Sequence, residues 1–128
     1  MNNDIMTDNL PPQNIEAEQA VLGAIFLNTD ALADAMEYVE PDDFYRRAHQ
    51  ILFQAMVDLN NDGEAIDVLT VQNYLTTNNQ LDDVGGVAYI AELATSVPTA
   101  ANAGYYAKIV EEKSMLRRLI LSLIHISE

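Results

Sequence analysis

Apolar residues recur every third or fourth position along nearly the whole chain, and no stretch alternates convincingly between apolar and polar residues. The clearest segment follows two adjacent prolines, which cannot continue a helix backwards. Asn14 can cap the N–H groups that follow it, and Glu16 and Glu18 place negative charge where the helix dipole favours it. An apolar stripe then runs from Val21 to Phe26. This pattern predicts a helix over residues 14–27 that buries one face.

Further helical segments follow, each bounded by capping or stop residues. Residues 28–30 cap a short helix, Pro41 with two acids begins a helical turn, and residues 60–63 stop a longer helix. Asp67 caps the next helix, and Gly85 and Gly86 mark a turn before another. The apolar positions of these segments are Leu32, Met36, Val39, Phe44, Tyr45, Ala48, Ile51, Leu52, Ala55, Met56, Leu59, Val68, Val71, Tyr74, Leu75, Leu81, Tyr89, Ile90, Leu93, Tyr105, Ile109, Leu116, Leu119, Ile120 and Leu123.

About six helices joined by short loops predict an all-α fold, a compact helical bundle. The last helix has no stop signal, and its apolar stripe continues past any core that the earlier helices could cover. A helix with an uncovered apolar face needs a partner, which is either the remainder of its own chain or another subunit.

Composition places this bundle in a broad class. A chain of 128 residues with 49% apolar residues forms about one domain with an ordinary core. It has no cysteine, so disulfides and thiolate metal sites are excluded. Residues 1–10 lack the pattern of a signal peptide, and the apolar runs at 20–27 and 119–126 are too short to span a bilayer. We therefore expect a cytoplasmic protein that does not contact membranes.

The net charge of −14 is unevenly distributed. Residues 1–45 hold ten acids and no base, and residues 46–107 hold seven acids and two bases. Only residues 108–128 are mildly basic, with four bases and three acids. Nucleic-acid affinity comes largely from Lys and Arg on phosphates, so direct DNA binding is disfavoured. The acidity serves either solubility or the attraction of a basic partner.

No residue pattern predicts catalysis. The chain lacks a phosphate-binding loop, a nucleophile elbow and any histidine pair at metal-ligand spacing. His49, beside two arginines near a helix start, is interpreted as a boundary side chain rather than a catalytic one. We therefore expect no enzymatic activity, no metal and no cofactor.

One segment partly matches a calcium-binding loop, and we refer to it as the calcium-like segment. Asp58, Asn60, Asp62 and Gly63 match the opening of an EF-hand loop, with predicted helices on both sides. The twelfth position, which normally supplies a bidentate Glu, is Leu69. A helix C-cap is the favoured interpretation, and a calcium-responsive helical module is the alternative.

Ten phrases, in order, resemble the N-terminal domain of DnaB-type replicative DNA helicases. They cover Pro11 to Ile120, nearly the whole chain. They are Pro11–Gly23, Asp42–Tyr45 with Ala48 and His49, Ile66 and Asp67 with Thr70, Gln80 and Leu81, Val84–Gly86, Ala88 and Tyr89, Ala91–Leu93, Pro98–Asn102, Tyr106 and Ala107 with Ile109 and Val110, and Leu116–Ile120. The resemblance implies a six-helix domain followed by a helical hairpin, a linker and a RecA-like ATPase. The last helix then corresponds to the first arm of a truncated hairpin.

The resemblance also implies a function and a division of the chain. In the family, six such domains form a collar that recruits primase through the primase's C-terminal helicase-binding domain. The positions implied for that coupling are Glu16, Tyr89 and Ile120. The alternatives are that Glu16 only serves the helix dipole and Tyr89 only fills the core. A dimer or hexamer collar and a helicase loader are further implied partners.

The implied segments are a disordered tail (1–12), a head domain (13–101) and the start of the hairpin arm (102–121). Residues 122–128 depart from the family pattern and are interpreted as either a cloning artefact or a gene-end substitution. The leading prediction is a non-catalytic assembly and recruitment domain. A free-standing acidic helical adaptor is the runner-up.

Overall fold

A computed structural model describes residues 10–127, and the side chains of residues 10–124. Within these residues the chain forms six α-helices, two 3₁₀ turns and no strand, which confirms the predicted all-α fold. The elements are α1 (Ile15–Leu27), α2 (Ala31–Met36), a 3₁₀ turn (Pro41–Asp43), α3 (Arg47–Asn61), α4 (Val68–Thr77), a 3₁₀ turn (Asp82–Val84), α5 (Gly86–Ala94) and α6 (Ala103–Ser127). Residues 1–9 of the predicted disordered tail, and residue 128, lie outside the described part.

Helix α1 is the central element of the bundle. Asn14 caps it as predicted, since its Oδ1 accepts a hydrogen bond from the Ala17 N–H at 2.9 Å. The expectation of a single buried face is wrong, because α1 packs against α2, α3, α5 and α6 at once. Its residues from Ala20 to Ile25 are all buried. Glu18 is buried with them, and its partners form part of the site described below.

The segment after α1 differs from the prediction in one position. Met36 was expected to face the core but is 46% exposed. Helix α2 ends at Met36, and the chain then turns so that Val39, also an expected core position, is buried. Phe44 follows the first 3₁₀ turn and is fully buried, with its ring centroid 5.0 Å from that of Phe53. This aromatic contact fixes the start of α3 against the bundle.

Local capping explains where α4 and α5 begin. The Asp67 carboxylate accepts the Thr70 N–H at 2.8 Å, and the Thr70 hydroxyl accepts the Asp67 N–H at 2.9 Å, which is a reciprocal capping box. Before α5, Gly85 and Gly86 have φ values of +100° and +74°, a left-handed backbone that favours glycine. This turn places the first residues of α5 beside α1.

Helix α6 changes environment along its length. Its first half packs into the core through Ala103, Ala107, Val110 and Ser114. Beyond Ser114, large apolar side chains are exposed on several faces, as the unfinished stripe in the sequence predicted. Residues 122–127, which depart from the family pattern, continue the helix. None of the helices within residues 10–127 is both long enough and apolar enough to span a bilayer.

Candidate partner-binding face

Two of the three predicted site residues lie on neighbouring helices. Glu16 is exposed in the first turn of α1, and Tyr89 is half-buried in the first turn of α5. Gln19, one turn after Glu16 on the same side of α1, donates from Nε2 to the Tyr89 hydroxyl at 3.0 Å. The face formed by the starts of α1 and α5 is called the α1–α5 face from here on.

A glycine allows α1 and α5 to approach closely. Gly23 lies one turn after Gln19, against the last turn of α5, where a Cβ atom would come within 2.8 Å of the Leu93 carbonyl oxygen. A larger residue would push the two helices apart. The hydrogen bond between Gln19 and Tyr89 therefore depends on this close packing.

The Tyr89 hydroxyl is the meeting point of three side chains. Besides Gln19, it lies 2.7 Å from His49 Nε2 and 3.3 Å from Arg46 Nη1. The His49 and Tyr89 rings stack, with centroids 5.9 Å apart and planes 13° apart. Tyr89 is thus held by contacts from α1 and from the start of α3 rather than by apolar packing alone.

A buried carboxylate supports this arrangement. Glu18 is 1% exposed, and its Oε1 lies 2.7 Å from His49 Nδ1. The same carboxylate accepts the backbone N–H of Tyr45 at 2.6 Å and that of Arg46 at 3.4 Å, at the amino end of α3. A negative charge there is favoured by the helix dipole. Among the described residues, no buried side-chain nitrogen or oxygen lacks a hydrogen-bond partner.

The interpretation of His49 as a boundary side chain is wrong, since its exposed fraction is 0%. Glu18 does not merely complement the dipole of its own helix, because it is buried against α3. A sequence signal for both existed. Each precedes buried apolar residues by three and four positions, Glu18 before Val21 and Leu22, and His49 before Leu52 and Phe53. Helical spacing therefore placed both side chains on core-facing stripes.

One assignment of protons satisfies the contacts around His49. An ionised carboxylate can only accept hydrogen bonds, so Glu18 accepts from a proton on Nδ1. With a neutral imidazole, Nε2 then accepts the one proton of the Tyr89 hydroxyl. The two lone pairs of that hydroxyl accept from Gln19 and Arg46. Both ring nitrogens of His49 and the Tyr89 hydroxyl have hydrogen-bond partners in this arrangement.

Ile120 lies elsewhere. It lines a groove of about 630 Å³ between the segment before α1 and the exposed half of α6, together with Leu10, Pro11, Leu121 and Ile124. Neither Glu16 nor Tyr89 lines this groove. The structure therefore brings two predicted site residues together and leaves the third in a different surface.

A polar cluster, which the sequence did not reveal, fixes one end of that groove. The buried Asp43 carboxylate accepts from the Ser114 hydroxyl at 2.6 Å and from the exposed Arg118 at 2.5 Å. Arg117 donates to the carbonyl oxygens of Pro12 at 2.8 Å and Asp43 at 2.7 Å. These contacts attach the segment before α1 and the first 3₁₀ turn to α6.

The calcium-like segment is engaged in side-chain hydrogen bonds. The Asp58 carboxylate accepts from Gln54 Nε2 at 3.0 Å and from the Tyr74 hydroxyl. The hydrogen bond to Asp58 raises the pKa of Tyr74, and partial burial and the negative charge of Asp58 raise it further. No three His, Cys, Asp or Glu side chains cluster as potential metal ligands in the described part of the chain.

Comparison with known proteins gives concordant matches. The family model described as DnaB-like helicase N terminal domain matches residues 10–112. The chain is 59% identical over 117 residues to the replicative DNA helicase DnaC of Bacillus subtilis, which covers 91% of the chain and 26% of that protein. It is 53% identical to the replicative DNA helicase DnaB of Geobacillus stearothermophilus, over 98% of the chain and 28% of that protein. The chain thus spans about a quarter of the length of these curated relatives.

A solved structure matches the fold itself. The crystal structure of the N-terminal domain of DnaB helicase from Mycobacterium tuberculosis superposes with a TM-score of 0.90 at 47% sequence identity. The match covers 92% of this chain and 82% of that chain.

Proposed function

This chain belongs to the DnaB-like helicase N-terminal domain family, and we propose that it serves ring assembly and the recruitment of primase in a replicative helicase. The matched region is the N-terminal, non-catalytic region of those helicases, and the 128 residues do not include the ATPase domain. The proposed contributions of this chain are therefore binding contributions. We also propose the division of the chain that the sequence predicted, with a head domain at residues 13–101 and a hairpin arm that starts at residue 102.

The proposed docking site for the C-terminal helicase-binding domain of primase is the α1–α5 face. The observation that carries it is the juxtaposition of exposed Glu16 with Tyr89, through the hydrogen bond from Gln19. Aromatic and arginine side chains held in fixed positions are typical binding anchors, and Tyr89 and Arg46 lie within 3.3 Å of each other here. A helicase loader is a second proposed partner of the domain.

The proposed self-association surface is the exposed half of α6. Leu116, Leu119 and Ile120 are each more than 40% exposed. A contiguous apolar surface of this kind on a helix is typical of protein–protein contacts. We propose that it contributes to a dimer or to the hexamer collar. Ile120 belongs to this surface rather than to the α1–α5 face.

Direct nucleic-acid binding is not part of the proposal. The net charge is −14, and only six basic residues are present. Arg117 and Arg118 are engaged by Asp43. A partner attracted by the domain's acidity would instead carry basic groups, and its affinity would fall with added salt.

Calorimetric titration with the C-terminal domain of the cognate primase tests the docking proposal. We expect weak, salt-sensitive binding, because a single domain lacks the avidity of a ring. Tyr89→Ala should weaken binding by a factor of about 30 or more if the side chain is an anchor. Tyr105→Ala removes another tyrosine that is 67% exposed on α6, and should leave the affinity unchanged. No binding by folded wild-type protein would favour the free-standing acidic adaptor.

Sedimentation at several concentrations tests the assembly proposal. We expect concentration-dependent self-association that Leu119→Glu abolishes, because a charge would have to be buried in the contact. Leu69→Glu is the matched control, since Leu69 is 72% exposed on α4. A wild-type domain that stays monomeric at all concentrations would contradict the proposed contribution of α6.

A further inference from the structure

We propose that the buried pair Glu18–His49 is a positioning device that holds Tyr89 in its binding conformation on the α1–α5 face. The inference rests on the proposed function of that face. Neither residue reaches a partner itself, because both are at most 1% exposed. Both act through the Tyr89 hydroxyl.

The geometry of the pair orients the hydroxyl proton of Tyr89. Glu18 lies 2.7 Å from His49 Nδ1 and so fixes the proton on that nitrogen. We infer that the imidazole is neutral, so that His49 Nε2, 2.7 Å from the Tyr89 hydroxyl, is an acceptor and takes the single hydroxyl proton. With its proton directed inward, the phenol accepts from Gln19 and Arg46 on its other side. The phenol therefore cannot rotate or donate outward without breaking this chain of hydrogen bonds.

The pair also connects the elements that form the face. Glu18 belongs to α1, His49 to α3 and Tyr89 to α5. The Glu18 carboxylate binds the backbone of Tyr45 and Arg46 as well, so it places the Arg46 side chain beside Tyr89. A partner meets a preorganised tyrosine and arginine, and association does not have to order them.

The arrangement determines which groups of Tyr89 and Arg46 a partner can contact. Because the hydroxyl proton of Tyr89 is already used, the tyrosine offers its ring. Arg46 is exposed and retains N–H donors beyond the one directed at Tyr89. We therefore infer that the partner packs an apolar side chain on the Tyr89 ring and places a hydrogen-bond acceptor against Arg46.

Two conservative variants separate positioning from folding. In His49→Asn the side-chain amide can occupy the place of Nδ1 and keep the bond to Glu18, but it does not reach Tyr89. In His49→Gln the longer side chain can place its amide oxygen near the position of Nε2 and accept from Tyr89. We expect His49→Asn to weaken binding of the primase domain about three- to tenfold, the equivalent of one hydrogen bond, and His49→Gln to recover most of the affinity.

A double-mutant cycle with Tyr89→Phe shows whether His49 influences partner binding through the Tyr89 hydroxyl. If His49 acts through the hydroxyl, His49→Asn changes the Kd less than twofold once the hydroxyl is absent. If the two changes reduce affinity additively, His49 acts through the general fold, and the positioning role is overturned. Leu32→Ala is the control for lost stability. It removes a buried side chain of α2, which does not belong to the face, and should lower the unfolding midpoint without changing the Kd.

Nitrogen-15 NMR of the imidazole rings gives a readout independent of any partner. We expect His49 to carry its proton on Nδ1 and none on Nε2, and the signal to be assigned by its loss in His49→Asn while that of His125 stays. A proton on Nε2 would overturn the positioning device alone. Absence of primase binding by the folded wild-type domain would overturn the proposed function and this inference together.

Discussion

The close approach of α1 and α5 makes Gly23→Ala the most informative single change in the fold. Gly23 lies where α1 crosses the end of α5. A Cβ atom there would overlap the Ser96 hydroxyl and lie 2.8 Å from the Leu93 carbonyl oxygen. Ser96 Oγ can move, at the expense of its 2.7 Å hydrogen bond to the same carbonyl. The carbonyl belongs to the helix backbone, so relief requires α5 itself to shift.

Two opposing effects set the magnitude. Alanine in place of glycine inside a helix is favourable by about 1 kcal/mol, whereas overpacking in a filled interior costs about 1–3 kcal/mol. The backbone contact favours the upper part of that cost. We therefore expect Gly23→Ala to lower the free energy of unfolding by about 1–2 kcal/mol net, the difference between these terms.

Urea denaturation measures this change, and heating should show a midpoint lowered by roughly 5 °C. Gly104→Ala is the matched control, because the nearest side-chain atom to its Cβ, Tyr38 Cε2, is 3.7 Å away. That control should be neutral or stabilising by up to about 1 kcal/mol. Adding Ser96→Ala to Gly23→Ala should restore part of the loss. A Gly23→Ala variant as stable as Gly104→Ala would refute the close packing of α1 on α5.

Three further changes test individual contacts. Glu18→Ala should lower the free energy of unfolding, measured by urea denaturation, by about 3 kcal/mol, because it leaves buried hydrogen-bond donors unpaired. An almost unchanged free energy would indicate that Glu18 is exposed. Asp67→Ala should lower the free energy of unfolding by about 1 kcal/mol, because the cap of α4 is lost. The folded pKa of Tyr74 is raised by Asp58, so its contribution to stability is present below pH 10 and is lost as the pH rises through that raised pKa. Ultraviolet titration should accordingly show that Tyr74→Phe loses the late-ionising phenol, and an unchanged titration curve would contradict that contact.

Local rules predicted the elements of this fold well. The spacing of apolar residues and the caps at Asn14 and Asp67 placed α1 and α4 nearly to the residue. The stripe that continues along α6 also predicted its exposed apolar end correctly. These features depend on contacts within a few residues, and such contacts can be inferred from order along the chain.

The arrangement of the site depended on contacts between distant residues. Glu18 is 31 positions from His49, and His49 is 40 positions from Tyr89. Their side chains nevertheless form one hydrogen-bonded cluster. Periodicity places Glu18 and His49 on core-facing stripes but does not say that they face each other. The resemblance to the helicase family supplied Tyr89, while the residues that hold it became visible only with the packing of α1, α3 and α5.

The claim that this domain recruits a partner through the α1–α5 face is tested most directly by backbone amide NMR during titration with the C-terminal domain of primase. We expect the largest chemical-shift changes at residues 15–19 and 85–90, with smaller changes around Arg46. Saturating additions of the primase domain that leave these amides unmoved, or changes confined to α4 and the turn before it, would contradict recruitment through this face.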